Sequence, residues 1–260
     1  MTCDVLSSAN SELLNACVSW HRRPHKTVFL EALASMSASL RFDDLKVLEI
    51  GATGKSTLSP FLVARGADAT VTCYLESELS PLQDAISRAA KQYCLPTARF
   101  HVNRADILAL NPESKFDLIL LKGVLGGISR RHEIYVFQKA ADNCLSILNP
   151  NGRLLIIDKG RSFWTVNWML RHFGAAGRRG WHYFTLNELT PIITPKGFIA
   201  HFAASGIIDF ADFGGGVLEK TADFLDKYFL EKFVPAKHRV VFSITCGKRE
   251  DRPNDSFLTQ

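Results

Sequence analysis

The sequence predicts a doubly wound α/β fold with a mostly parallel, seven-stranded sheet, and three observations lead to this prediction. From Lys46 onward, short β-branched or apolar runs alternate with segments of helical period, as in successive βαβ units. The first run leads through a turn of small residues, Gly51 to Gly54, into a helix. The chain has 260 residues and 47% hydrophobic content, which is enough to bury one sizeable core.

The predicted elements alternate along the chain. The apolar runs predict strands at 47–50, 69–75, 98–102, 116–121, 153–157, 198–204 and 240–246. Helical periodicity predicts helices at 56–65, 81–93, 132–148, 183–195 and 217–233. Pro60 is placed in the first turn of its helix, where proline is tolerated, and Gly66 ends that helix. Asn149-Pro150-Asn151-Gly152 predicts a tight turn before the fifth strand.

Composition divides the chain into three regions. We expect residues 1–40 to form a helical lead-in that acts as a lid and residues 41–248 to form the main domain. Within that domain, residues 160–190 form an insert after the fifth strand, rich in Arg, Gly, Trp and Phe, and such inserts often shape binding sites. Residues 249–260 predict a disordered tail.

Cysteine usage and charge restrict the location and the partners. The six cysteines are scattered without a close C-x-x-C pair, which predicts free thiols in a reducing compartment. No apolar run approaches the ~20 residues that span a bilayer, and the N-terminus lacks the pattern of a signal peptide. We therefore expect a cytoplasmic protein with no membrane span. The net charge of +5 is mild and gives little support to a nucleic-acid partner.

The turn after the first strand has three competing interpretations. Gly54-Lys55-Ser56 ends like the phosphate loop G-x-x-x-x-G-K-[ST], but Glu49 stands where that motif needs its first glycine and would face the phosphates. A dinucleotide site requires G-x-G-x-x-G, and Thr53 stands at one of those glycine positions. The third interpretation is a ligand with adenine and a ribose diol but no phosphates, such as S-adenosylmethionine.

Acidic residues at the ends of three successive strands favour the third interpretation. Glu49 would face the positive end of the ligand, and the amides at the helix start would face its carboxylate. Glu76 would accept hydrogen bonds from both ribose hydroxyls, and Asp106 would lie within reach of the adenine amino group. As alternatives, Glu76 is a solvated strand end and Asp106 a helix N-cap. The predicted cofactor-binding residues are Glu49, Gly51, Ala52, Thr53, Gly54, Glu76, Ser77, Asp106, Ile107 and Lys122.

These motifs, taken in order, resemble those of the class I, Rossmann-like S-adenosylmethionine-dependent methyltransferases. The segment 47–51 (VLEIG) matches the first motif of that family, 74–76 (YLE) the second, 104–106 (RAD) the third and 116–119 (FDLI) the fourth. The segment 148–155 (LNPNGRLL) is similar to the family's LKPGGxLL turn. The resemblance implies S-adenosylmethionine as cofactor and methyl transfer as activity. The chain departs from the family's E-x-G-x-G-x-G because the third glycine is missing, which leaves open which amide meets the cofactor carboxylate.

The acceptor is expected beyond the ends of the fourth and fifth strands. The motif [DN]-P-P-[YF], which nitrogen-methylating members of the family carry after the fourth strand, is absent, so methylation of a nucleobase or a glutamine amide loses support. No cluster of acids or histidines predicts a metal site. We therefore expect a small-molecule acceptor.

Aligning the methyl acceptor with the sulfonium in a pocket that excludes water can supply much of the rate acceleration, so a catalytic base is optional. The candidate bases are His172, His182, Asp158 and Glu188. The candidate substrate contacts are Trp164, Trp181, Tyr183 and His25, with ordinary core packing as the alternative for the aromatic residues. The alternative functions are a P-loop-like nucleotide hydrolase that uses Gly54-Lys55-Ser56 and a non-catalytic protein of methyltransferase fold that binds the cofactor.

Overall fold

The chain folds around a seven-stranded sheet. The computed structural model describes residues 12–13, 23–37, 40–53, 57–111, 113–128, 133–161, 181–193, 196–207, 221, 224, 228 and 230–248. The strands are β1 (Lys46–Ile50), β2 (Asp68–Cys73), β3 (Phe100–Arg104), β4 (Phe116–Lys122), β5 (Leu148–Lys159), β6 (Gly197–Ser205) and β7 (Val241–Lys248).

The strand order creates a crevice at the centre of the sheet. The order is β3-β2-β1-β4-β5-β7-β6, and β7 is antiparallel to both of its neighbours. The other pairings are parallel, so the chain moves outward from β1 first through β2 and β3 and then through β4 and β5. In open α/β sheets, ligands bind beyond the carboxyl ends of the strands at such a switch point. Glu76, Asp106 and Asp158 follow or end strands at this edge.

Helices cover both faces of the sheet. Successive residues of β1 point to opposite faces, so they are buried under different helices. The described helices include α1 (Arg23–Ser37), α2 (Ser59–Val63), α3 (Glu76–Gln92), α4 (Ile134–Ser146), α5 (Leu186–Ile193) and the short α6 (Glu231–Phe233). Val47 belongs to one buried cluster with residues of α1, α2 and α3. Leu48 belongs to a second cluster with residues of α4 and α5. No helix in the described part of the chain is long and apolar enough to cross a bilayer.

Helix α1 is part of the core. Val28 and Phe29 are fully buried, and the Phe29 ring meets the Phe61 ring of α2 edge-on at 6.1 Å. The Ser243 hydroxyl of β7 donates a hydrogen bond to the Val28 carbonyl (2.9 Å). Residues 23–37 therefore pack against the sheet, which corrects the expectation that this part of the lead-in is a separate lid.

Several element boundaries differ from the prediction. Helix α3 begins at Glu76, five residues before the predicted start, because Glu76 and Glu78 suit a helical first turn and the helix tolerates Pro81 inside. The predicted turn at 149–152 is absorbed into β5 as an irregularity, where the register with β4 shifts between Phe116 and Leu118. Residues 162–180 of the insert, most of the predicted helix 217–233 and the tail 249–260 lie outside the described residues.

Candidate functional site

The turn after β1 passes close to the loop after β4. Gly51 has φ +73°, a conformation that strains residues with a side chain, and a Cβ there would lie 2.5 Å from a Val124 methyl group. The Ala52 amide donates to the Thr72 carbonyl (2.8 Å), which fixes the turn against the end of β2. Ala52 is buried and Thr53 half-buried, while Gly54 lies outside the described residues.

Glu49 has a different role from the expected ligand contact. Its carboxylate is 1% exposed and accepts hydrogen bonds from the Thr57 hydroxyl (2.7 Å), the Leu58 amide (2.8 Å) and the Ser59 amide (2.9 Å). These donors lie at the start of α2, where the first amides of a helix lack internal partners and attract negative charge. Glu49 therefore holds the turn to the helix, and both of its oxygens are engaged within the chain.

Glu76, the first residue of α3, lies just beyond β2 with its carboxylate open to solvent. The side chain is 72% exposed, and Oε2 accepts from Arg104 Nη1 at 3.2 Å, whose side chain is 60% exposed. An ion pair this exposed contributes little to stability. The Glu76 carboxylate is therefore available to a ligand, and the neighbouring Ser77 is exposed as well.

Asp106 lies at the end of β3 and caps the 3-10 turn that follows. Its Oδ1 accepts from the Leu108 amide (2.9 Å), as the N-cap alternative predicts. The next residue, Ile107, is buried in the cluster beneath α4. Asp106 and Glu76 both line one half-open crevice of about 890 Å³. Its lining also includes Thr70 and Thr72 on β2 and Asn103 on β3.

A glycine-rich loop follows β4 and packs against Trp181. The loop begins directly after Lys122, the last residue of β4, which is 9% exposed. A Cβ on Gly127 would lie 2.9 Å from the indole of Trp181, and a Cβ on Gly126 would collide with the indole nitrogen. The glycines thus let the ring lie directly on the backbone of this loop.

Asp158 is the buried carboxylate at the end of β5. It is 1% exposed and accepts from the Gly126 amide (2.9 Å), the Lys159 amide (2.8 Å) and Trp181 Nε1 (3.1 Å). Burial raises the pKa of Asp158 to about 6, although the hydrogen bonds from Gly126 and Lys159 act in the opposite direction. The residue therefore joins three segments and is closed to solvent.

Glu188 forms a capping box at the start of α5. Its Oε2 accepts from the Thr185 amide (2.8 Å), and the Glu188 amide donates back to the Thr185 hydroxyl (3.3 Å). Its Oε1 accepts from Arg161 Nη2 (2.7 Å). Burial acts to raise the pKa of Glu188, but the Thr185 amide and the Arg161 charge outweigh it and hold the pKa below its ordinary value. A carboxylate engaged in this way is a poor proton acceptor, which argues against the predicted role as a base.

The remaining predicted acceptor-side residues differ in exposure. Tyr183 is 1% exposed and belongs to the interior, which corrects the expectation that it lines a pocket. The His182 ring packs against the rings of Phe137 and Phe184, at centroid distances of 5.2 and 4.5 Å, and its Nε2 is 3.8 Å from Glu188. His25 on α1 is half-buried. His172 and Trp164 lie outside the described residues.

Sequence reasoning missed two features of this site. Arg104 was assigned to a motif without a role, although its pairing with Cys73, the last residue of β2, brings it close to Glu76. The three glycines at 123, 126 and 127 signalled a close backbone approach, but nothing in the sequence identified Trp181 as the partner.

Solved methyltransferases share this fold at low sequence identity. The N-methyltransferase NodS from Bradyrhizobium japonicum, in complex with S-adenosyl-L-homocysteine, matches with a TM-score of 0.54 at 17% identity, over 94% of this chain and 100% of that one. The magnesium protoporphyrin IX methyltransferase ChlM from Synechocystis, with bound S-adenosylhomocysteine, matches with a TM-score of 0.57 at 14% identity, over 91% of this chain and 86% of that one.

A third match is longer than this chain. The mitomycin 7-O-methyltransferase MmcR has a TM-score of 0.55 and 12% identity over 86% of this chain, which spans only 55% of that protein. No model of a protein family matches the sequence. No curated protein matches it. Together with the strand order and the antiparallel β7, the structural matches show that the chain has the class I, Rossmann-like methyltransferase fold, as predicted.

Proposed function

We propose that this chain is an S-adenosylmethionine-dependent methyltransferase that acts on a small-molecule acceptor. The observation that carries the proposal is the crevice of about 890 Å³ that Glu76 and Asp106 line together at the ends of β2 and β3. Two solved structures of the same fold have S-adenosylhomocysteine bound, which supports the choice of cofactor.

The donor set fits the cofactor's adenosine half. The exposed carboxylate of Glu76 can accept hydrogen bonds from both hydroxyls of a ribose diol, since an ionised carboxylate has only acceptors. Asp106 engages one oxygen with the Leu108 amide, and Asn103 and Ala105 also line this side of the crevice. The backbone of 51–53 can approach a ligand closely because the turn consists of small residues.

The chain's own contribution to the reaction is positioning. When bound, S-adenosylmethionine supplies an electrophilic methyl group on a sulfonium. We place the acceptor on the side of Lys122, at the end of β4, and of Trp181, which packs against the glycines of the loop 123–127. Holding the acceptor in line with that methyl group can supply much of the rate. His182 remains a candidate proton acceptor, as does His172 outside the described residues.

The free thiols bear on the cellular compartment in which the protein acts. Cys73, Cys144 and Cys246 are buried and make no disulfide in the described structure. Unpaired cysteines are typical of reducing compartments, and we propose the cytoplasm as the site of action.

Calorimetric titration with S-adenosylhomocysteine and, separately, with magnesium ATP tests the proposal. We expect saturable binding of S-adenosylhomocysteine and none of magnesium ATP. The opposite pattern would favour a nucleotide hydrolase at Gly54-Lys55-Ser56 and would refute the proposal.

Transfer of a labelled methyl group tests catalysis itself. The protein is incubated with S-adenosylmethionine carrying a radioactive methyl group and with fractions of a small-molecule extract. We expect label in at least one small-molecule fraction. Binding without transfer to any fraction would favour the non-catalytic alternative.

A further inference from the structure

Asp158 joins two segments that are far apart in sequence. Its Oδ2 accepts from the Gly126 amide, in the loop after β4, and its Oδ1 accepts from Trp181 Nε1, beyond the insert. We call these three residues the clasp. Since the carboxylate also accepts from Lys159 and is 1% exposed, its hydrogen-bonding capacity is used within the protein.

The clasp closes the base of the insert. Gly160 and Phe184 form a parallel bridge, in which the Phe184 amide donates to Lys159 (3.1 Å) and the Arg161 amide to Phe184 (2.8 Å). The His182 amide donates to the Gly126 carbonyl (2.7 Å). The two ends of the insert are therefore fixed to each other and to the loop after β4.

The same loop touches the turn after β1. Val124 lies between Gly123 and the clasp, and its methyl group occupies the space where a Cβ of Gly51 would be. The indole of Trp181 rests on the other glycines of the loop. A continuous set of contacts thus runs from Asp158 through Gly126 and Val124 to Gly51.

From this geometry we infer that Asp158 is a positioning residue that, through the clasp, holds the loop 123–127 against the turn where the cofactor binds. The inference rests on the proposed function and assigns Asp158 a role other than the base predicted from sequence. A base must reach the acceptor proton, and Asp158 is enclosed by its own partners. Burial raises the pKa of Asp158 to about 6, so keeping its charge near neutral pH costs free energy.

Two substitutions open the clasp, and Asp158→Asn does so with little change in volume. In Asp158→Asn, an amide NH₂ replaces an acceptor oxygen, so it cannot satisfy both the Gly126 amide and Trp181. Trp181→Phe keeps an aromatic ring over the glycines and removes the N–H donor. The matched control is Ser243→Ala, which removes another buried hydrogen bond, to Val28, on the opposite face of the sheet.

Amide hydrogen exchange in the absence of ligand and calorimetry with S-adenosylhomocysteine give independent readouts. In Asp158→Asn and Trp181→Phe we expect faster exchange at Gly126 and His182 and an affinity for S-adenosylhomocysteine lowered about tenfold, the scale of one lost buried hydrogen bond. Ser243→Ala should change neither readout at these positions.

The outcomes separate the inference from the proposed function. Unchanged exchange at Gly126 would show that the clasp does not hold the loop and would overturn the inference. Faster exchange, with an affinity for S-adenosylhomocysteine within twofold of the wild type, would show that the clasp is a purely structural contact. That result would also overturn the inference. A wild-type protein that binds no S-adenosylhomocysteine would refute the proposed function and the positioning role together, whereas the exchange data would still show whether the loop is held.

Discussion

Three acids near the ends of strands differ in their surroundings, and this decides what each can do. Glu49 is enclosed by donors at the start of α2, so it stabilises the turn. Asp158 is enclosed by donors from three segments. Glu76 is paired with the exposed Arg104, so its carboxylate can exchange that partner for a ligand.

Glu76→Ala tests the ribose assignment. We expect the affinity for S-adenosylhomocysteine to fall by about 1 to 3 kcal/mol, the scale of losing hydrogen bonds to a charged group. Calorimetry measures this change, and Glu78→Ala, two residues along α3 and outside the crevice lining, serves as the control. Equal affinities for the wild type and Glu76→Ala would rule out the ribose contact.

Asp158→Asn tests the cost of burying this charge. The folded-state pKa of Asp158 is raised from 3.8 to about 6, so its contribution to stability is fully present below about pH 3.8 and is lost as pH rises through 6. The wild type should therefore gain on the order of 3 kcal/mol relative to the variant between pH 7.5 and pH 4. Urea unfolding of both proteins at several pH values measures the difference, in which the other titrating groups cancel. A difference that does not change with pH would contradict the raised pKa.

The positions of the acids at the strand ends could be predicted from the sequence better than their hydrogen-bond partners could. Glu49, Glu76 and Asp106 were predicted to converge on one crevice because parallel strands end at one edge. Glu76 and Asp106 line it, whereas the buried Glu49 does not. The partners of Glu49 were not predicted, since the capture of its carboxylate depends on how Thr57 and Ser59 fold back onto β1. The contact of Trp181 with the glycines spans more than fifty residues and leaves no local pattern.

At the scale of elements, boundaries were predicted well where burial decides them. The apolar runs of β1 and β4 are buried on both faces, so their limits are visible in the sequence. The start of α3 was misplaced because Pro81 resembled a first helical residue, and the fifth strand continues through Asn149 to Gly152 because β4 pairs on both sides of them.

Thr185→Ala tests the capping box of α5. Removing the hydroxyl leaves the Glu188 amide without its capping partner and should cost about 1 kcal/mol of unfolding free energy. Chemical denaturation gives the value. Thr190→Ala, exposed on the same helix, should stay within about 0.5 kcal/mol of the wild type. Similar losses in both variants would show that the box adds nothing beyond helix propensity.

At the scale of the whole molecule, α1 completes the core on one face of the sheet. Its buried residues pack beneath β7 and against α2, contacts that join residues more than 200 positions apart in the case of Val28 and Ser243. The helical character of this segment was predictable from its sequence. Its place was not, because a helix at the start of a chain can pack against either face.

Phe29→Ala tests whether α1 belongs to the core. Phe29 is fully buried, so the substitution should lower the unfolding free energy by about 3 to 5 kcal/mol. Phe233→Ala, at a side chain that is 81% exposed, should cost less than about 0.5 kcal/mol. Thermal or denaturant unfolding compares the two. Equal small losses would mean that α1 does not contribute to the folded core.

A crystal structure of the protein with S-adenosylhomocysteine tests the central claim most directly. The account predicts the adenosine in the crevice between β2 and β3, with the ribose hydroxyls within hydrogen-bond distance of Glu76 and the sulfur directed toward the loop 123–127. A ligand bound elsewhere, or crystals that take up none at saturating concentration, would contradict it.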